Sequence, residues 1–172
     1  MRPGYRVRQF LAALSFEGPV EEAALKAYLS PAQVELFRSM PGSEQRHALA
    51  VQQTLQQQGH ADTVVVLAAL LHDAGKALQG VRLWHRVAVV LLEATRPALL
   101  ERLALDEPGS WRYPFHVLLH HAARGAEMAA AAGTDPLAVE LIRWHHTEPR
   151  DSGLEPRAQA LLSALRFADE EH

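Results

Sequence analysis

Val64-Val65-Val66-Leu67-Ala68-Ala69-Leu70-Leu71-His72-Asp73-Ala74-Gly75-Lys76 is apolar without interruption as far as Leu71 and then turns abruptly polar. Apolar residues at every position of a helix leave it no solvent face, so this segment reads as the central helix of an all-α core. It is far too short to cross a bilayer. A histidine and an aspartate at the buried end of such a helix need partners, because an unpaired buried carboxylate is costly. A helix C-terminus also carries partial negative charge, which favours a cation there. The competing reading is a capped helix end with a salt bridge.

The flanking sequence is helical in both directions, rich in Ala, Leu, Glu, Gln and Arg and poor in β-branched clusters. Upstream, the pattern predicts helices over Val7–Leu14 and Val20–Leu29. Ser30-Pro31-Ala32-Gln33 then opens a helix with a cap, a first-turn proline and a return partner. Pro41-Gly42 stops it, and Ser43 opens the next, which ends at Gly59. The central helix is predicted from Asp62 to Ala74. Downstream, helices are predicted over Val81–Ala94, Pro97–Leu105, Pro114–Ala132, Pro136–His146 and Glu155–Glu171. The chain reads as a single domain over 1–172, with residues 1–42 as an N-terminal helical extension and 43–172 as the core.

Composition narrows the chemistry. The chain has 172 residues, 48% of them hydrophobic, which suits one globular domain. A net charge of −3 predicts no nucleic-acid partner, and the N-terminus shows no signal-peptide pattern, so the reading is a cytoplasmic protein with no membrane partner. Cysteine is absent and histidine numbers 10, so a metal site here would use imidazole and carboxylate.

Helical spacing sorts the histidines by face, at about 100° per residue. His47 continues the stripe of Val51 and Leu55, away from Gln52, Gln53 and Gln56. His121 shares a face with Val117, Leu118, Gly125 and Met128, whereas His120 falls with His116, Arg124 and Glu127. Gly125 costs a helix about 1 kcal/mol relative to Ala, which implies a close approach of a ligand or a helix to that face. His145 and His146 both flank the apolar arc, and periodicity does not choose between them. Asp169 lies with Ala158, Leu162 and Leu165 on an apolar face, where it asks for a cation or a buried arginine. His47, His72, Asp73 and Asp169 would supply one metal site. His121 and His146 could hold a second ion, with Asp73 bridging. Imidazole and carboxylate together suit Mn, Fe, Co, Ni, Zn or Mg.

The ordered set of His47, Leu71-His72-Asp73-Ala74-Gly75-Lys76, His121 with Gly125, His145-His146 and Asp169 resembles the HD-domain superfamily. The resemblance implies an all-α helical bundle around a buried centre holding one or two divalent ions. It also implies phosphomonoesterase or phosphodiesterase activity on a small nucleotide or phosphate ester. The chain resembles an uncharacterised bacterial HDIG-type group. It is similar as well to the HD-GYP phosphodiesterases and the HD-type diadenosine tetraphosphate hydrolases. The Gly-Tyr-Pro signature is absent after His146, where the chain reads Thr147-Glu148-Pro149. The pair His146-Thr147 is closer to the tetraphosphate branch, and with the Val139-Ile142 stripe it favours His146 over His145 as ligand. His145 is then a further metal or phosphate contact. In the implied mechanism Asp73 is catalytic, Lys76 contacts a phosphate oxygen, and Arg124 adds a phosphate contact from the rim. Trp84, Trp111, Tyr113 and Phe115 read either as a base-stacking lid or as packing for the extra helices. Two other functions share the ligand set: a di-iron oxygenase of the same fold, and a nucleotide-binding regulatory module without turnover.

Overall fold

A computed structural model of the chain describes Leu25, residues 27–77 and residues 81–172. The helix expected over Val7–Leu14 and most of that over Val20–Leu29 lie outside the described residues. Those residues are all-α, with no strand among them. The helices are α1 (Pro31–Ser39), α2 (Gly42–Gln57), α3 (Thr63–Leu71), α4 (Leu83–Thr95), α5 (Pro97–Leu103), α6 (Tyr113–Leu119), α7 (His121–Ala131), α8 (Pro136–Trp144) and α9 (Pro156–Glu170). Short 3₁₀ turns occupy Ala74–Lys76 and Pro149–Asp151. No helix among the described residues is long and apolar enough to cross a membrane.

Local chemistry sets the helix starts. Ser30 and Gln33 form the reciprocal capping box read from the sequence. Asp62 accepts from Val64 N at the start of α3, and Asp135 accepts from Leu137 N and Ala138 N at the start of α8. α3 is buried from Val65 through Leu71 and is the centre of the fold, packed against α2, α8 and α9. α1 joins the same core through Val34 and Phe37. α4, α5 and α6 pack among themselves to one side. In α4 only His85 is buried, and Leu83, Trp84, Val87 and Leu91 are exposed.

Three helix ends beside histidines depart from the sequence reading. α3 stops at Leu71, so His72 caps it and Asp73 lies in the turn beyond. The single helix expected over Pro114–Ala132 is two helices, broken at His120 with φ −105° and ψ 14°. α8 ends at Trp144, which leaves His145 and His146 past its last turn. No glycine or proline marks any of these breaks, so periodicity ran straight through them.

The 3₁₀ turn after Asp73 packs directly on α7. A Cβ on Gly75 would sit 1.9 Å from the carbonyl oxygen of His121 and 2.6 Å from Gly125 N. From the other side, a Cβ on Gly125 would lie 3.1 Å from Gly75 N and 3.3 Å from His72 O. Close backbone packing therefore accounts for Gly125, and the crossing sets His72-Asp73 beside His121.

Candidate metal centre

The three helix breaks share one local device. The last carbonyls of an α-helix have no intrahelical partner. His72 donates its Nδ1–H to Ala69 O at 2.9 Å, His121 to Leu118 O at 2.7 Å and His145 to Ile142 O at 2.6 Å. Each histidine folds back on a free carbonyl three residues earlier. Each bond fixes a proton on Nδ1 and points Nε2 away from its own helix. This is the arrangement by which a protein orients imidazole toward a metal.

Those Nε2 atoms converge. The ring centroids of His72 and His145 are 5.1 Å apart, and those of His121 and His145 are 5.4 Å apart. His47 joins from the middle of α2, 5.3 Å from His72 by ring centroid, and its Nε2 donates to Asp169 Oδ1 at 2.8 Å. Asp169 Oδ1 is also 3.5 Å from His72 Nε2. Asp73 stands between two groups of imidazoles. Its Oδ2 is 3.6 Å from His72 Nε2, and its Oδ1 is 3.5 Å from His121 Nε2. His47, His72 and Asp73 offer ligand atoms within 4.8 Å of one another, and so do His121, His145 and His146.

The electrostatics follow from this crowding. Burial works against charge on His72, but Asp73 and Asp169 outweigh it and hold its pKa at about 9. Burial lowers His121 to about 3 and His145 to about 4, and neighbouring positive groups add to the effect. Both rings are therefore neutral at pH 7, with Nε2 unprotonated. The side of His146 that faces the cluster is desolvated although its outer edge is exposed. That desolvation, with His145 and His121 adjacent, pushes His146 well below the usual imidazole range. His146 Nε2 lies 2.8 Å from His121 Nε2; since His121 keeps its proton on Nδ1, His146 is the donor. Burial also opposes ionisation of Asp73 and Asp169. Lys76, His72 and His121 overcome it at Asp73, and His47 and His72 do so at Asp169, so both stay well below the carboxylate range.

The donor set fits a divalent cation. His72 Nε2, Asp73 Oδ1 and His145 Nε2 are buried and make no hydrogen bond among the described residues. Leaving a buried polar atom unpaired costs about 1–3 kcal/mol. Three such atoms on one centre, the lone pair of His145, an anionic oxygen of Asp73 and a His72 nitrogen that can give up its proton, are accounted for together by a bound cation. A close pair of ions would suit a carboxylate placed as Asp73 is.

His47, His72, Asp73, His121, His146 and Asp169 thus come together from five separate places along the chain. His145, held in the sequence reading as a secondary contact, is buried at the middle of the cluster with the same anchored geometry as His72 and His121. Lys76 is neither an exposed lysine nor unengaged. Its Nζ donates to Asp73 Oδ2 at 2.7 Å and lies 3.6 Å from Glu44 Oε2. Arg124 makes no polar contact with the cluster among the described residues, and its Nε is buried without a hydrogen-bond partner. Arg166, the arginine nearest to Asp169 in sequence, pairs with Glu148 and Glu170. Phe115 is buried, while Trp84 and Trp111 stand edge-on to it with their outer faces exposed.

Sequence reasoning missed Glu44 and Arg86. Glu44 is 6% exposed and forms ion pairs with Lys76 and with Arg86 of α4. Its place three residues before His47 was a signal, because that spacing puts it near the His47 face of α2. Arg86 carried no local signal.

A family model described as HD domain matches residues 45–169. No curated protein and no solved structure matches the chain.

Proposed function

The chain belongs to the HD-domain family, and from that premise we propose that it is a metal-dependent phosphohydrolase acting on a phosphomonoester, phosphodiester or phosphoanhydride of a nucleotide. In this reading His47, His72, Asp73 and Asp169 hold one ion, and His121, His146 and His145 hold a second. Within the family, His146-Thr147 and the missing Gly-Tyr-Pro lean toward the dinucleoside polyphosphate branch of HDIG-type enzymes.

The observation that carries the reading is the position of Asp73, whose two oxygens face the two imidazole groups at 3.6 and 3.5 Å. A bound divalent ion would polarise a phosphoryl oxygen and lower the pKa of its water. The protein's own groups prepare the site. The three Nδ1 anchors hold the imidazoles so that no ligand has to be reoriented when substrate binds. Lys76 keeps Asp73 ionised, and Asp73 Oδ1, buried without a donor, is the atom free to bridge or to accept a proton.

The test pairs metal content with turnover. Purified protein assayed with Mn, Fe, Co or Ni against mono-, di-, cyclic and dinucleoside phosphates is expected to hydrolyse at least one class. Asp73→Ala is expected to abolish that turnover with the helical circular dichroism intact. Uptake of less than about a tenth of an equivalent of every metal by the wild type would refute the reading. So would wild-type turnover in Asp73→Ala.

A further inference from the structure

We propose that Arg86, carried by the helix that follows the His72–Lys76 motif, is a substrate-phosphate ligand of the metal centre, parked on Glu44 until substrate arrives. This rests on the phosphohydrolase reading above and gives a role to the segment between Lys76 and α6.

Charge contacts lead step by step from α4 to the centre. Arg86 Nη1 donates to Glu44 Oε1. Glu44 Oε2 lies 3.6 Å from Lys76 Nζ, which donates to Asp73 Oδ2 at 2.7 Å. Glu44 Oε1 also accepts from Ser43 Oγ at 3.3 Å. A carboxylate this buried must be paired, and two cations reach Glu44: Arg86 by a hydrogen bond and Lys76, which it shares with Asp73, by charge alone.

Arg86 is suited to more than a salt bridge. Its side chain is 21% exposed, so the guanidinium lies at the rim rather than in the core. Among the described residues its hydrogen bonding is confined to Nη1 and Glu44. The rest of its planar fork of donors has no partner among the described residues, and that fork matches a phosphate bidentately. The charges agree. Three carboxylates, Glu44, Asp73 and Asp169, face two cations, Lys76 and Arg86. One divalent ion turns that sum positive and prepares the site for an anion.

The same helix argues against an aromatic lid. Trp84 lies two positions before Arg86, about 200° round the helix. It packs with His85 and Phe115.

Glu44→Gln and Arg86→Gln break the same ion pair, and this makes the proposal testable. If the pair only held α4 in place, both changes would move phosphate binding in the same direction. If Arg86 is a ligand, only Arg86→Gln weakens it. The probe is inorganic phosphate titrated calorimetrically into manganese-loaded protein, with manganese stoichiometry and thermal midpoint measured on each variant. Arg86→Gln is expected to weaken phosphate about tenfold, the loss of one charge-assisted contact, with manganese stoichiometry unchanged. Glu44→Gln is expected to leave phosphate binding equal or tighter, because it releases Arg86 and removes a negative charge. Unchanged binding in Arg86→Gln, or equal weakening in both variants, overturns the proposal. Should Arg86→Gln fail to fold, Arg86→Lys keeps the ion pair but loses the fork. It is then expected to bind phosphate several-fold more weakly, and full affinity in that variant refutes the assignment. Wild-type protein that takes up manganese but no phosphate would sink the phosphohydrolase reading and this ligand with it. Phosphate binding that ignores Arg86 would sink the ligand alone.

Discussion

Replacing Gly75 by alanine is expected to damage both the fold and the metal centre. The added methyl carbon would lie 1.9 Å from His121 O and 2.6 Å from Gly125 N, where ordinary contact begins at 3.4 Å. Both atoms are backbone, so no rotamer change relieves the overlap. The turn and α7 must separate. Overpacking of a tight core costs about 1–3 kcal/mol and occasionally more. A clash between two backbones belongs at the upper end, about 3 kcal/mol, which for a domain of this size lowers the thermal midpoint by about 6–12 °C. The separation also draws His121 away from Asp73, now 3.5 Å from it. Manganese affinity is therefore expected to fall in the fraction that stays folded. Gly125→Ala is the control. Its methyl would meet Gly75 N at 3.1 Å and His72 O at 3.3 Å, so its neighbours need give only slightly. The gain in helix propensity, about 1 kcal/mol, offsets much of that strain. Thermal denaturation followed by circular dichroism, with metal titration on the same samples, reads both effects. A Gly75→Ala protein with a near-wild-type midpoint and full metal affinity would refute this account of the crossing.

Metal binding is expected to release a proton at neutral pH. His72, held at about 9 by Asp73 and Asp169, carries a proton in the metal-free protein below that pH and must lose it to become a ligand. Affinity therefore rises with pH toward 9, and calorimetry in buffers of different ionisation enthalpy counts the proton. His145→Ala is expected to lower metal stoichiometry from about two to about one, as much as His146→Ala does, because its buried Nε2 has no other partner. Elemental analysis decides this, and two ions retained in His145→Ala would exclude it as a ligand. Asp135→Ala removes the acceptor for Leu137 N and Ala138 N and is expected to cost about 1 kcal/mol by urea denaturation.

Much of this protein is legible in its sequence because it is governed by local rules. Ser30, Asp62 and Asp135 start helices by satisfying backbone N–H groups a few residues away, so the signal and its effect lie in one short segment. The all-α class and the central place of Val65–Leu71 follow from an apolar pattern with no polar face. The inward direction of His47 and Asp169 follows from helical period alone, and the two meet at 2.8 Å. Tertiary structure decided what depends on distant parts of the chain. The helices end at Leu71, Leu119 and Trp144 without a glycine or proline stop, where imidazoles turn back onto carbonyls of the last turn and toward one another. A pattern read one helix at a time runs through such breaks. The place of His145 between the rings of His72 and His121 came from packing between helices. Gly75 and Gly125 needed each other to be explained. The Glu44–Arg86 pair joins residues 42 positions apart, and no periodicity carries information over that separation.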